Sequence, residues 1–348
     1  MSLDAANGRE LPRASWRMEN FRIPDLFIPV PAALNPELQD ATAAAEAWLD
    51  EFGLMPTEEA RRHVERTRVD RLTAWLCPNA SQEALTLITQ WNAWLFQLDD
   101  QFDDDPVRGY QPEQWRDAFG PLFAVFDGNV TTGRLARSLA DLWRRTVAVR
   151  SSAWQRRFVP HLLWYFDSYR ADMIHREEGR VPGLQQYLAH RRASFAFDAV
   201  LDLVEISIGV DLPDQLHAHP AFADMREAVI YANACINDLY SLPKELAHDY
   251  AFNAVTVICH HHRCSLQEAA ERVAVMQAGY VQRILDLEQV LPGRLARSGL
   301  ADDVVVDALR SVRDFQALTA GNVAWSKETG RYAEIEADPT YLADLFTP

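Results

Sequence analysis

Glycine is scarce in this chain, 14 of 348 residues, and long stretches have none. Neither GxGxxG nor GxxxxGKS occurs, which removes the phosphate-cradling nucleotide loops, and no GxSxG turn offers a hydrolase nucleophile. The four cysteines, Cys77, Cys235, Cys259 and Cys264, contain no CxxC pair. They read as free thiols of a reducing cytoplasm, not as a disulfide framework or a zinc site. No apolar run reaches the ~18 residues of a membrane span. Residues 1–17 are polar and mixed in charge, without the apolar stretch of a signal peptide. Positive charge is in deficit: 34 Lys and Arg stand against 50 Asp and Glu, a net charge of −16. Nucleic acid and anionic membrane surfaces both ask for a basic face, so neither is an expected partner.

Clean period-two alternation is missing as well, so no sheet is expected. Apolar residues instead recur at three- and four-residue spacing over most of the length, which is the amphipathic helix signal. Helices are expected at about 37–53, 57–76, 81–100, 112–126, 131–149, 152–178, 183–210, 219–248, 252–262, 265–291 and 301–330, with breaks at Pro and Gly. The four prolines between Phe21 and Pro36 make that segment an extended lead-in. No Ser/Gly/Pro linker divides the chain. It reads as one all-α domain over residues 21–335, with a flexible tail at 1–20 and a second tail at 336–348.

The segment 94–105, WLFQLDDQFDDD, places Asp99, Asp100 and Asp103 in a DDxxD pattern at the end of an apolar helix. Positions four apart differ by about 40° in azimuth, so Asp99 and Asp103 share a face. Two carboxylates there repel one another and sit where a helix disfavours negative charge. Such a breach of local rules marks a functional site or a solvated acidic helix end, and the run alone fits both. Oxygen ligands of this kind select hard cations such as Mg²⁺.

The segment 237–245, NDLYSLPKE, places Asn237, Ser241 and Glu245 on one polar stripe after the apolar run Ala228 to Ile236. An amide oxygen, a hydroxyl and a carboxylate in line can chelate one hard cation. Lys244 can reach an anion as a point charge, and Pro243 removes one backbone hydrogen bond and is a candidate kink. His260, His261 and His262 point in different directions on a helix and read as a solvated helix end. The pairs Arg144-Arg145 and Arg156-Arg157 read as solvated faces.

Together the two clusters resemble the motifs of a class I terpene synthase of the bacterial type. That family carries an aspartate-rich motif, here Asp99-Asp100-Gln101-Phe102-Asp103, and an NSE motif of the form NDxxSxxxE, here Asn237 through Glu245. Order and separation, about 140 residues, also match. A diphosphate-sensing arginine of the family lies 46 positions before the NSE asparagine, which falls on Arg191, with Arg192 beside it. Arg331-Tyr332 matches the family's terminal diphosphate-binding pair, and Trp325 stands six residues before it. The resemblance covers roughly residues 21 to 335. One departure is Phe195, a bulky ring four residues after Arg191, where relatives often have glycine.

The resemblance implies a single α-helical bundle with a central cavity and a cytoplasmic lyase, often dimeric among relatives. It would ionise and cyclise a linear isoprenyl diphosphate, most often farnesyl diphosphate. It implies three Mg²⁺, two held by Asp99 with Asp103 and the third by Asn237, Ser241 and Glu245. Asp100 is expected to anchor an arginine. Arg191, Lys244, Arg331 and Tyr332 would bind diphosphate. A carbocation also asks for aromatic walls. Phe96, Phe195 and Trp325 are the candidates, with Phe102, Trp91 and Trp94 behind them. Geranyl or geranylgeranyl diphosphate as substrate, a chain-elongating prenyltransferase and a non-catalytic helical scaffold are the alternatives. The NSE site in place of a second DDxxD argues against the prenyltransferase.

Overall fold

The computed structural model describes Met18 and residues 21–103, 115–129, 132–178, 180–247, 252–332, 342 and 344–347, with Asp103 placed by its backbone only. Among these residues there is no strand. The chain begins as an extended lead-in, pinned where Phe27 exchanges backbone hydrogen bonds with the Gln277 amide. Fourteen helices follow: α1 Leu38–Glu51, α2 Glu58–Thr67, α3 Val69–Leu76, α4 Gln82–Asp103, α5 Trp115–Phe126, α6 Arg134–Val147, α7 Ser152–Glu178, α8 Leu184–Ser194, α9 Phe197–Ile208, α10 Asp214–His217, α11 Pro220–Ala247, α12 Ala254–His262, α13 Leu266–Leu295 and α14 Asp302–Glu328.

The caps follow local chemistry. Thr57 accepts the Ala60 N–H at the start of α2. Asn253 with Thr256, and Ser265 with Glu268, close capping boxes on α12 and α13. The structure departs from the expected boundaries where distant partners intervene. The helix expected over 57–76 is two helices, broken at Arg68, whose φ is 54°. The end of α14 reaches the break: Trp325 Nε1 donates to Thr67 O and Arg68 O, each at 3.0 Å, and Thr329 Oγ1 to Thr67 O at 2.8 Å. The helix expected over 183–210 is likewise two, broken at Ala196 with φ 56°. Conversely, Pro292-Gly293 does not end α13, which runs on to Leu295, and α11 continues through Pro243.

Seven helices, α3, α4, α7, α8, α9, α11 and α14, surround a central cavity. The others form an outer shell: α1 covers α4, α5 and α6 pack on each other and reach α7 and α4, and α12 and α13 back α11. The aromatic load of α4 divides by azimuth. Trp91, Trp94 and Phe102 face the outer shell and are fully buried in it, Phe102 stacked on Phe119 with ring centroids 5.0 Å apart. None of the three lines the cavity, which corrects their candidacy as walls. Residues 1–20 other than Met18, and most of 336–348, lie outside the described residues. The described end of the chain is docked: Leu345 is buried, donates to Gln101 and accepts from Leu135.

Candidate active site

The cavity encloses about 1240 Å³ of unfilled space, its open mouth included. Below the mouth the lining is mostly apolar, with Leu72, Leu76, Leu95 and Val200 among it. Its mouth is polar and built from helix ends. Asp99 comes from the last turn of α4, Arg191 from the last turn of α8, and Asn237, Ser241 and Glu245 from the last third of α11. Arg331 and Tyr332 follow α14.

Arg331 holds the acidic side of the mouth. Its guanidinium spans two carboxylates, donating to Asp99 at 2.9 Å and to Asp100 at 2.7 Å. Asp99 also accepts from Tyr169 at 3.1 Å. Asp100 is buried and meets His63 at 3.0 Å on its other oxygen, with Lys244 3.9 Å away. Burial alone would raise its pKa. The charges of Arg331, His63 and Lys244 outweigh that and hold the carboxyl well below the usual carboxylate range. Asp100 therefore faces three basic groups and not the cavity. The Asp103 side chain lies outside the described residues.

Across the mouth, α11 presents its polar stripe. Ser241 Oγ donates to Glu245 at 2.6 Å, and Asn253 donates to the other Glu245 oxygen at 2.8 Å. Burial, with the nearby charge of Asp238, pushes the Glu245 carboxyl up to about 7. Arg191 donates to Asn237 at 2.5 Å and to Asp238 at 3.0 Å. Asn237 in turn donates to the Tyr332 hydroxyl at 2.9 Å. Burial pushes that hydroxyl's pKa up, so it stays protonated and available as a donor. Asp238, the second residue of the motif, is a brace: it also accepts from the Tyr187 hydroxyl at 2.6 Å and the Ala254 N–H at 3.2 Å. Of the two adjacent arginines only Arg191 reaches the cavity. Arg192 turns outward to Asp198 and Glu227.

Phe96, Phe195 and Trp325 all line the cavity. Phe96 and Trp325 meet edge to face at 5.8 Å, and the Arg331 guanidinium lies 4.8 Å over the Phe96 ring. Phe195, at the break between α8 and α9, stacks on Phe197 at 4.6 Å beneath Arg191, 4.9 Å from its ring. The bulky residue at this position is thus packed into the wall. Sequence reasoning missed Tyr165, Tyr169 and Asp172, which line the cavity from α7. Their spacing of four and three residues is a polar stripe that helical periodicity could have found. Asp172 is held by His190 at 2.6 Å.

Among the described residues no three His, Cys, Asp or Glu side chains form a metal-holding group. A metal at this mouth would therefore rest on mixed oxygen donors. Asn237, Ser241 and Glu245 supply an amide, a hydroxyl and a carboxylate on one face, and Asp99 supplies a carboxylate opposite. That all-oxygen set fits a hard cation and not zinc or copper. The raised Glu245 carboxyl fits too, since a nearby cation would favour its charged form. The histidine run does not compete. His261 bonds the Pro182 carbonyl at 2.8 Å, and His261 and His262 are exposed at the end of α12.

Comparison with known proteins agrees with this geometry. The family described as terpene synthase family 2, C-terminal metal binding, matches residues 90–283. A pristinol synthase of Streptomyces pristinaespiralis is 32% identical over 96% of this chain and 91% of its own length. A (2Z,6E)-hedycaryol synthase of Kitasatospora setae is 31% identical over 92% of this chain and 97% of its own. Among solved structures, a hedycaryol synthase in complex with nerolidol superposes with a TM-score of 0.78 at 30% identity, covering 88% of this chain and 100% of that one. With its aspartate-rich and NSE helices facing each other across an apolar cavity, the chain belongs to the bacterial class I terpene synthases, metal-binding lyases that act on isoprenyl diphosphates.

Proposed function

We propose that this chain ionises farnesyl diphosphate and cyclises the resulting cation to a sesquiterpene in the cytoplasm. The supporting observation is the hydrogen-bonded arc at the mouth, from Asp99 through Arg331 and from Tyr332 through Asn237 to Arg191, set over an apolar cavity. A charged head and a greasy tail fit those two zones in that order. The similar proteins from Streptomyces pristinaespiralis and Kitasatospora setae are named as synthases of pristinol and hedycaryol, and one from Roseiflexus castenholzii is named as cyclising farnesyl diphosphate.

In this reading Asp99 with Asp103 would hold two Mg²⁺ and Asn237, Ser241 and Glu245 a third. The bound ions would supply Lewis-acid stabilisation of the departing diphosphate. Arg191, Lys244 and Arg331 donate charge-assisted hydrogen bonds to the phosphate oxygens, and Tyr332 donates its hydroxyl. Asp100 positions Arg331, the group it already holds at 2.7 Å. Phe96, Phe195 and Trp325 keep bulk water from the reacting chain. They also present aromatic faces to the cation, each contributing roughly 0.5–2 kcal/mol without acting as a nucleophile.

The test is incubation of the full chain with farnesyl, geranyl and geranylgeranyl diphosphate in parallel, with and without Mg²⁺, with analysis of volatile products. A magnesium-dependent cyclic product from farnesyl diphosphate is expected. Cyclic product from another of the three alone would move the substrate. Linear elongated product in the presence of isopentenyl diphosphate would replace the cyclase with a prenyltransferase.

A further inference from the structure

The floor of the cavity holds two polar side chains that have no part in the reading above. Asn92 on α4 and Asn322 on α14 both line it, with 3% and 5% of their surfaces exposed. Asn92 lies one turn below Phe96 and Asn322 one turn below Trp325. Those two rings meet at 5.8 Å, so both asparagines lie beneath one aromatic pair.

The hydrogen-bond chains behind each asparagine fix which way its amide points. Thr73 gives its hydroxyl proton to the Val69 carbonyl at 3.1 Å, so toward Asn92 it can only accept, and Asn92 Nδ2 donates to it at 2.9 Å. The Asn233 amide nitrogen donates to the Val229 carbonyl at 2.8 Å and to Thr319 Oγ1 at 3.0 Å. Its oxygen is left to receive Asn322 Nδ2 at 3.0 Å. In both lining asparagines, then, the NH₂ group is turned into the helix packing. The amide oxygen, which has no protein donor among the described residues, is what remains for the cavity. Two acceptors facing a mostly apolar cavity suit a partner with two donors and little bulk.

We propose that Asn92 and Asn322 hold a water molecule by its two O–H bonds, with its lone pairs toward the substrate chain, and that the product is a cyclic terpene alcohol. The proposal rests on the cyclase reading above and adds water as second substrate. The water oxygen gives an electron pair to the cationic carbon and a C–O bond forms. The oxonium then loses one proton, which ends on the diphosphate released at ionisation, the strongest base the reaction makes. One C–O bond to diphosphate is broken and one to water is made, with no change in oxidation state.

The full-length chain is incubated with farnesyl diphosphate and Mg²⁺ in H₂¹⁸O, and alcohols, hydrocarbons and released diphosphate are all quantified. The expected product is an alcohol carrying ¹⁸O. Asn92→Leu and Asn322→Leu are each expected to lower alcohol formed per diphosphate released at least tenfold, with hydrocarbon in its place. Asn322→Leu also strips Asn233 of its donor. If it fails to fold by circular dichroism, Asn92→Leu alone decides. Diphosphate release with hydrocarbon as the sole wild-type product overturns the water site and leaves the cyclase reading standing. So does an unchanged alcohol share in the folded variants. No diphosphate release from the wild-type chain overturns the substrate reading and the water site with it.

Discussion

At the scale of single residues, the site depends on carboxylates held in places that cost them something. Asp99→Asn and Glu245→Gln are each expected to lower turnover by at least ~10²-fold, the loss typical of one electrostatic partner of a leaving group. Steady-state kinetics beside a thermal melt reads this, and wild-type rates in both would sink the ligand assignment. Glu245 adds a pH signature. Its carboxyl is pushed up to about 7, and a cation binds only the ionised form. Metal affinity should therefore rise with pH through about 7, by up to ~10-fold per unit below it. Titration calorimetry at pH 6 and pH 8 should show it, and Glu245→Gln should flatten it. Phe96→Ala should redistribute products while leaving metal affinity in place, and an unchanged product profile removes Phe96 from the wall. These residues were legible in the sequence because their spacing is local: a DDxxD and an NSE stripe lie within one or two turns of a helix. Asn92 and Asn322 were not, because the fact that singles them out is the donor state of Thr73 and Asn233 on other turns and other helices.

Among the elements, the long helices were legible, but the single-turn α10 and two of the breaks were not. Apolar periodicity runs unbroken through Arg68 and through Ala196, and neither residue is a helix breaker. At Arg68 the break is stabilised from about 260 residues away, by Trp325 and Thr329. No local rule contains that partner. The opposite error came at Pro292, where a breaker sits inside α13 without ending it. The pairs Arg144-Arg145 and Arg156-Arg157 divided. Arg144 and Arg156 are exposed, while Arg157 is mostly buried, its guanidinium on Asp202 and Glu205. One close approach between elements is that of α14 on α3, where a Cβ at Gly321 would lie 2.2 Å from the Trp75 carbonyl oxygen. Gly321→Ala should push the two helices apart and lower stability by about 1–3 kcal/mol. Urea unfolding measures it, and a change under ~0.5 kcal/mol would mean that the contact relaxes freely.

For the molecule as a whole, the two ends of the bundle are tied by different means. Away from the mouth, buried Asp202 joins α9 to α7 and α11, meeting His161 at 2.6 Å, Arg226 at 3.0 Å and Arg157 at 3.3 Å. Burial would raise its pKa, but Arg226, His161 and Arg157 lower it to about 2 from 3.8. A depressed carboxylate stabilises the fold above its unfolded pKa and loses that contribution as pH falls through the folded one. Stability should thus drop by about 2 kcal/mol between pH 4 and pH 2 on this account, at ~1.4 kcal/mol per unit. Asp202→Asn should flatten that slope while costing several kcal/mol at neutral pH, on the order of 3–5, by taking from buried Arg226 its nearest carboxylate, while Arg157 keeps Glu205 at 2.7 Å. At the mouth, the tie is Arg331, whose guanidinium engages two carboxylates of α4. In the proposed roles, Arg331 would give up its hydrogen bond to Asp99 to turn toward a phosphate, and the same release would free Asp99 for a cation. Cation and anion therefore share the cost of opening one contact, and each should raise the other's affinity by the same factor. Under the proposed roles, the mouth would take a metal ion and a diphosphate together more readily than either alone, and diphosphate should bind more tightly with the cation present than without it.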